Sequence, residues 1–150
     1  MDETPHLTLL QEAIAHFVPH NRALGIVLHA ADDATVTLRL PYSEKLVGNP
    51  LTAVLHGGAV TTLLDGACGA AVYLKLRAPL PIATLDLRVD FLGKPPARQD
   101  VLARAECYRL TRSVAFVRAE ARVEGGEPFA AATATFALDT RGRVPAPEAP

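Results

Sequence analysis

The sequence has few residues of several types, and each scarcity excludes a class of protein. Trp is absent, and there are only five Phe and three Tyr, so Leu, Val and Ala must fill the core. The two cysteines, Cys68 and Cys107, form no CxxC pair and no disulfide framework, a pattern typical of reduced thiols. The formal net charge is −1 without a concentrated basic run, so we expect no nucleic-acid partner.

Targeting, membrane and cofactor signals are also missing. The first six residues are acidic and carry no apolar stretch of the signal-peptide kind. No uninterrupted apolar run approaches the roughly 20 residues that cross a bilayer. The motifs GxGxxG, GxxxxGK[ST] and GxSxG are absent. His16 and His20 have the spacing of a metal pair, but Pro19 interrupts them and no third ligand is evident. We therefore expect a cytoplasmic protein with no membrane partner, metal or other cofactor.

The length of 150 residues fits one domain. Residues 1–24 are assigned to an N-terminal helix and lead-in, because Thr4 and Pro5 form a helix start and apolar residues recur at helical spacing until Pro19 ends the pattern. Residues 25–140 form the main domain. Residues 141–150, rich in Pro and Ala, are expected to be a flexible tail.

Hydrophobic alternation predicts six strands, and helical periodicity predicts one long buried helix from Gly57 to about Leu76. The strands are Ile26–Ala30, Thr35–Leu40, Ile82–Leu92, Asp100–Arg109, Ser113–Val123 and Phe129–Leu138. Residues 41–55 are assigned to a loop. In the third strand the alternation groups Thr84 with Asp86, Arg88 and Asp90. One buried helix followed by four consecutive strands favours an α+β fold with an antiparallel sheet.

The buried helix begins with His56-Gly57-Gly58. The first turn of a helix has unpaired N–H groups and a partial positive charge, and glycine lets another group approach the backbone closely. Such a helix start can stabilise a carbonyl oxygen that becomes negative during acyl transfer. It could equally be a tight entry into the helix without a catalytic role.

Asp65 is the only charged residue between His56 and Lys75. A carboxylate in an apolar helix loses hydration, which costs free energy unless the group is paired. Thr61 and Gly69 stand one turn before and one turn after it, so a small polar stripe leaves room for a ligand. The pattern suits a general base or nucleophile, although a structural carboxylate paired in the core is the other interpretation.

Asp65 follows Gly57 by eight residues, an axial separation of about 12 Å at 1.5 Å per residue. One reacting carbon cannot contact both groups within a single helix. If both act on one substrate, two antiparallel copies of the helix must supply them. A twofold dimer with shared sites follows as a hypothesis.

The motif His56-Gly57-Gly58 with an Asp nine residues after the histidine resembles hot-dog-fold acyl-CoA thioesterases of the phenylacetate-pathway (PaaI-like) type. Thr84-Leu-Asp86 and Phe91-Leu-Gly-Lys94-Pro also resemble that family, and the likeness spans roughly residues 20–138. The resemblance implies a single hot-dog domain, in which a curved antiparallel sheet wraps a central helix. It implies homodimers, often paired into homotetramers, that hydrolyse an acyl-CoA to a free acid and coenzyme A.

The resemblance also implies roles for individual residues. Asp65 would activate water or attack the thioester carbonyl, and the Gly57 N–H of the other subunit would polarise that carbonyl. His56 would shape the helix start, and Asn49 would help to hold substrate or water. The positions implied for substrate binding are Gly58, Thr84 near the catalytic water, and, for the coenzyme A phosphates, Lys94 with Thr111, Arg112 and Ser113.

Two other functions stay open at this stage. A hot-dog enoyl-CoA hydratase or dehydratase would pair a catalytic His with a carboxylate, though in other spacings. A non-catalytic acyl-CoA-binding module would bind the thioester without turnover. Hydration of an enoyl-CoA and release of a free thiol distinguish these functions from a thioesterase.

Overall fold

One long helix lies inside a curved antiparallel sheet in the computed structural model, which describes residues 4–78 and 80–139. The sheet has six strands, and a separate hairpin has two. This is the predicted α+β architecture. The tail assigned to 141–150 falls outside the described residues, as do the side chains of Thr4 and His16.

The elements follow one another with short connections. Three helical segments come first, and the long helix separates four early strands from four late ones. They are α1 (Thr4–Glu12), a π-helical turn (Ala13–Phe17), α2 (Pro19–Leu24), β1 (Val27–Ala31), β2 (Thr35–Leu40), a 3₁₀ turn (Glu44–Leu46), β3 (Val47–Asn49), β4 (Val54–Leu55), α3 (Gly57–Leu76), β5 (Ile82–Phe91), β6 (Val101–Leu110), β7 (Val114–Arg122) and β8 (Ala130–Leu138). The order of strands across the sheet is β1-β2-β6-β7-β8-β5, and β3 pairs with β4 in the separate hairpin.

Two predictions about the early chain are wrong in detail. Pro19 ends the first helical pattern, but it also begins α2, because Val18 is extended and a proline fits the first position of a helix. Residues 41–55 are more than a loop, since they hold the 3₁₀ turn and the β3–β4 hairpin. The Ser43 side chain caps that turn by accepting the Lys45 N–H.

The sheet closes around α3 because its inner face is lined by small side chains. The buried alanines of β6, β7 and β8 include Ala103, Ala105, Ala115, Ala119, Ala121, Ala130, Ala132 and Ala134. The helix supplies the larger groups, and Val60, Leu63, Leu64 and Val72 are fully buried against them. By length and composition alone the 20-residue α3 could cross a membrane, but its packing here is that of a core helix.

Both cysteines are buried thiols. Burial, together with the negative charge of nearby Asp65, raises the pKa of Cys68 to about 12. Burial also raises the pKa of Cys107. Because the folded protein holds these protons more tightly than the unfolded chain does, stability is fully present below pH 9, the usual thiol value, and falls as the pH rises above it.

The free energy of unfolding should therefore decrease between pH 8 and pH 10, and Cys68 should account for much of the loss. We expect wild type to lose roughly 1 kcal/mol more than a Cys68→Ala variant over this interval. Urea denaturation at both pH values measures the two losses. Equal losses in the two proteins would show that the Cys68 thiol titrates alike in the folded and unfolded states.

Candidate active site

The start of α3 leaves one backbone donor unpaired. The Gly58 N–H donates to His56 Nδ1 at 2.8 Å. The Ala59 and Val60 N–H groups donate to the His56 carbonyl at 3.0 and 3.4 Å. The Gly57 N–H has no acceptor within residues 4–78 and 80–139. This amide is therefore available to a ligand at the positive end of the helix.

The His56 ring acts as the cap of α3. Because Nδ1 accepts a hydrogen bond, the proton of the neutral ring is placed on Nε2. The His56 N–H donates to the Leu46 carbonyl at 2.8 Å, which ties the helix start to the 3₁₀ turn. Gly48 packs against His56, since a Cβ at residue 48 would lie 3.0 Å from His56 Cα. These contacts fix the direction in which the Gly57 amide points.

Asp65 lies two turns further along α3 and is partly exposed. Its Oδ1 accepts a hydrogen bond of 2.9 Å from the Thr84 hydroxyl. Its Oδ2 has no hydrogen-bond partner in the part of the chain that the structure describes. The carboxylate is thus held by one oxygen, while the other can accept a proton from water or attack a carbonyl carbon.

A β-bulge turns Thr84 toward Asp65. Thr84 pairs with Phe136 and Asp86 with Thr135, so Leu85 is the extra residue of β5. Strict alternation would place Thr84 with Asp86 on the outer face, and that prediction is wrong. The bulge reverses the alternation, so Thr84 shares the inner face with Leu87, and re-aiming a side chain in this way is a common function of bulges.

Strand β5 runs antiparallel to α3, along the side of the helix that the rest of the sheet leaves uncovered. A Cβ at Gly69 would contact Ile82 Cδ1 at 3.8 Å, and a Cβ at Gly57 would contact Phe91 Cζ at 3.4 Å. The Thr84–Asp65 bond lies between these two contacts. The free amide and the carboxylate therefore share one face, separated by about 12 Å along the helix.

Asn49, which was predicted to hold substrate or water, has a local role in this chain. Its Oδ1 accepts the Leu51 N–H at 3.0 Å, and its carbonyl accepts the Thr52 and Ala53 N–H groups at 3.1 and 3.0 Å. The side chain thus closes the β3–β4 turn. A role in substrate binding stays a prediction.

The residues predicted to bind phosphates lie at opposite ends of the sheet. Lys94 follows the last residue of β5. The Thr111–Ser113 turn lies beside the first residue, since Leu138 pairs with Ile82 and donates its N–H to Ser113. The Thr111 hydroxyl closes this turn by hydrogen bonds to Val114. One chain does not bring Lys94 to Arg112, so a common phosphate site would need a second chain.

A cavity of about 430 Å³ beside the start of α3 was missed by sequence reasoning. His20 and Lys45 line it, together with Gly58 and Thr62 of α3. The sequence holds no signal for it, because α2 and the 3₁₀ turn that form its walls were assigned to a lead-in and a loop. No group of three or more His, Cys, Asp or Glu side chains that could hold a metal ion occurs among the described residues.

Known proteins are similar to this chain in sequence and in fold. Residues 52–130 match the family model described as Thioesterase superfamily. The chain is 32% identical over 143 residues to the medium/long-chain acyl-CoA thioesterase YigI of Salmonella typhimurium, covering 87% of this chain and 92% of that one. It is 40% identical over 94 residues to a protein of Halobacterium salinarum, of whose length the chain spans only 61%.

Solved structures agree with these matches. A Pseudomonas aeruginosa protein superposes with a TM-score of 0.79 at 39% identity, covering 89% of this chain and 98% of that one. The Escherichia coli PaaI protein from the phenylacetic acid degradation operon superposes with a TM-score of 0.78, covering 91% and 96%; at 17% identity it shows the shared fold alone. The chain therefore belongs to the thioesterase superfamily, and its fold is the hot-dog fold that it shares with PaaI.

Proposed function

We propose that this thioesterase hydrolyses an acyl-CoA to a free acid and coenzyme A, with Asp65 as nucleophile or general base. The observation that carries the proposal is a pair of groups on one face of α3 that have no hydrogen-bond partner among the described residues, the Gly57 N–H and Asp65 Oδ2. The amide polarises the thioester carbonyl and stabilises the oxyanion. The name of the YigI relative supports a coenzyme A thioester with a medium or long acyl chain.

The second chain that this chemistry requires is a second copy of the same protein. Strand β5 pairs only with β8 and leaves its other edge open in the described chain. Large apolar side chains stand exposed at this edge, with Leu85 59%, Phe91 47% and Leu92 64% exposed. An open edge with exposed apolar groups is suited to pairing with another strand. We infer that β5 pairs with β5 of a partner subunit.

The register of this pairing follows from the contacts along α3. With Leu85 as the extra residue of β5, a twofold axis through Arg88 places Thr84 opposite Phe91 of the partner subunit. Since Phe91 packs over Gly57 and Thr84 bonds Asp65, each carboxylate then approaches Gly57 of the partner subunit. Each dimer holds two such sites. The same axis brings Lys94 of the partner subunit toward the Thr111–Ser113 turn, which supports a shared phosphate site.

An Asp65→Asn variant should fold and bind acyl-CoA, but its kcat should fall about 10²- to 10⁴-fold, because the amide cannot accept a proton or attack the carbonyl. Asp86→Asn, on the outer face of β5, is the matched control and should keep wild-type kcat. Free-thiol release and calorimetric titration with a non-hydrolysable acyl-CoA thioether measure turnover and binding. A kcat within tenfold of wild type in Asp65→Asn would end the catalytic assignment.

Thr84→Val should lower kcat about tenfold, because it removes the hydroxyl that orients Asp65 but keeps the volume of the side chain. Thr84→Ser should retain most of the activity. Free-thiol release measures kcat for both variants. Similar kinetics in the Val and Ser variants would show that the hydroxyl has no part in positioning Asp65.

Gly57→Pro should lower kcat about 10²- to 10³-fold by removing the free N–H. The helix should survive, because proline is favoured at the first helical position and His56 has the extended conformation that precedes proline (φ −61, ψ 138). Circular dichroism checks the helix content.

Mixing Gly57→Pro with Asp65→Asn tests whether the site is shared. Half of randomly mixed dimers contain one chain of each kind, and one of their two sites has both intact groups. Co-expression should therefore restore about a quarter of wild-type activity, while each variant alone stays inactive. If the mixture shows no more activity than its components, both groups act within one chain and the dimer proposal fails.

A further inference from the structure

The cavity of about 430 Å³ beside the start of α3 is open to solvent and lies between α2 and the Glu44–Leu46 turn. Small-ligand sites usually measure about 300–1,000 Å³, so its volume suits a medium-sized group. Aliphatic side chains of α2 and β3 give it apolar walls, and His20, Lys45 and Thr62 add polar groups. None of the described residues that line it is Asp or Glu, so its one permanent charge is the Lys45 ammonium.

The backbone that carries this charge is fixed. The Lys45 N–H donates to the Ser43 hydroxyl at 3.4 Å, and the Leu46 carbonyl accepts the His56 N–H at 2.8 Å. The Lys45 segment is therefore tied to the first residue before α3. The Lys45 ammonium forms no ion pair within the described ranges 4–78 and 80–139. It remains available to an anionic ligand.

The opposite wall presents a second anchored polar group. The Thr62 hydroxyl donates to the Gly58 carbonyl at 3.0 Å. His20 Nε2 lies 3.4 Å from the same hydroxyl, whose one hydrogen is already used, so the ring is the donor in this contact. The cavity thus combines apolar sides with a cation and fixed polar groups, and no described residue that lines it carries a carboxylate that would repel an anion.

The position of the cavity decides which part of a substrate it takes. His56 and Gly58 both line it, and they flank Gly57, whose amide polarises the thioester carbonyl in the proposed function. A group in the cavity is therefore attached close to the acyl carbon. The phosphates of coenzyme A are separated from the thioester sulfur by the long pantetheine arm, so they lie elsewhere when the carbonyl contacts Gly57. The cavity therefore binds the acyl group of the substrate.

We propose that this cavity selects medium-length acyl groups that end in a carboxylate, that is, coenzyme A monothioesters of dicarboxylic acids. The aliphatic walls contact the methylene chain, and the far carboxylate forms an ion pair with Lys45. This inference rests on the proposed acyl-CoA hydrolysis and adds the substrate class to it. Lys45 is then a specificity residue, distinct from the groups that perform hydrolysis.

Adipyl-CoA and hexanoyl-CoA test the proposal, because they have equal carbon number and differ in the terminal carboxylate. Wild type should show a higher kcat/KM for adipyl-CoA. Lys45→Met, which keeps an aliphatic side chain of similar length, should lower the adipyl-to-hexanoyl ratio at least about fivefold. Lys75→Met, at the far end of α3, is the matched control and should leave the ratio unchanged. Free-thiol release measures the rates.

Binding gives a second readout that does not need turnover. In the Asp65→Asn background, the added Lys45→Met change should weaken adipyl-CoA relative to hexanoyl-CoA by the same factor in calorimetric titrations. A wild-type preference for hexanoyl-CoA, or a ratio that Lys45→Met does not change in either assay, would overturn the subsite. Absence of thiol release from every acyl-CoA, with the binding preference intact, would overturn the proposed hydrolysis and leave the subsite standing.

Discussion

The site depends on the fact that the sheet covers only part of α3. The inner face of β6, β7 and β8 is lined by alanines, so the sheet approaches the helix closely and buries its leucines and valines. One strip of the helix stays partly exposed, and it carries Gly58, Thr61, Asp65 and Gly69. Only on this strip can a carboxylate of α3 stay in contact with water, so that its loss of hydration costs little free energy. Packing and chemistry are thus divided between two sides of one helix.

The helix start and the carboxylate have complementary electrostatics. His56 satisfies the amides of the first turn except that of Gly57, so the partial positive charge of the helix end is presented through one donor. Asp65 presents one free oxygen because Thr84 occupies the other. Each group is directed by a single neighbouring side chain. Both must be pre-oriented, since a group that reorients during the reaction contributes less to the rate.

Much of this could be predicted from the sequence, because the strongest signals are local. The bounds of α3 and β2 follow from hydrophobic periodicity, and Asp65 is conspicuous as the only charged residue of α3 before Lys75 in its last turn. The inner position of Thr84 could not be predicted, since a bulge is set by pairing with β8 and leaves no period-2 signal. The β3–β4 hairpin was also missed, because its strands have only three and two residues and are too short to show an alternation.

The inertness of the two cysteines has a consequence for an enzyme whose product is a thiol. Under oxidising conditions coenzyme A forms disulfides, and an accessible protein thiolate can attack such a disulfide to give a mixed disulfide and release one coenzyme A thiol. Cys68 and Cys107 are buried, and desolvation holds both as neutral thiols. The released coenzyme A therefore meets no accessible cysteine thiolate of this protein. Oxidising conditions would then trap coenzyme A on other proteins and leave this one unmodified.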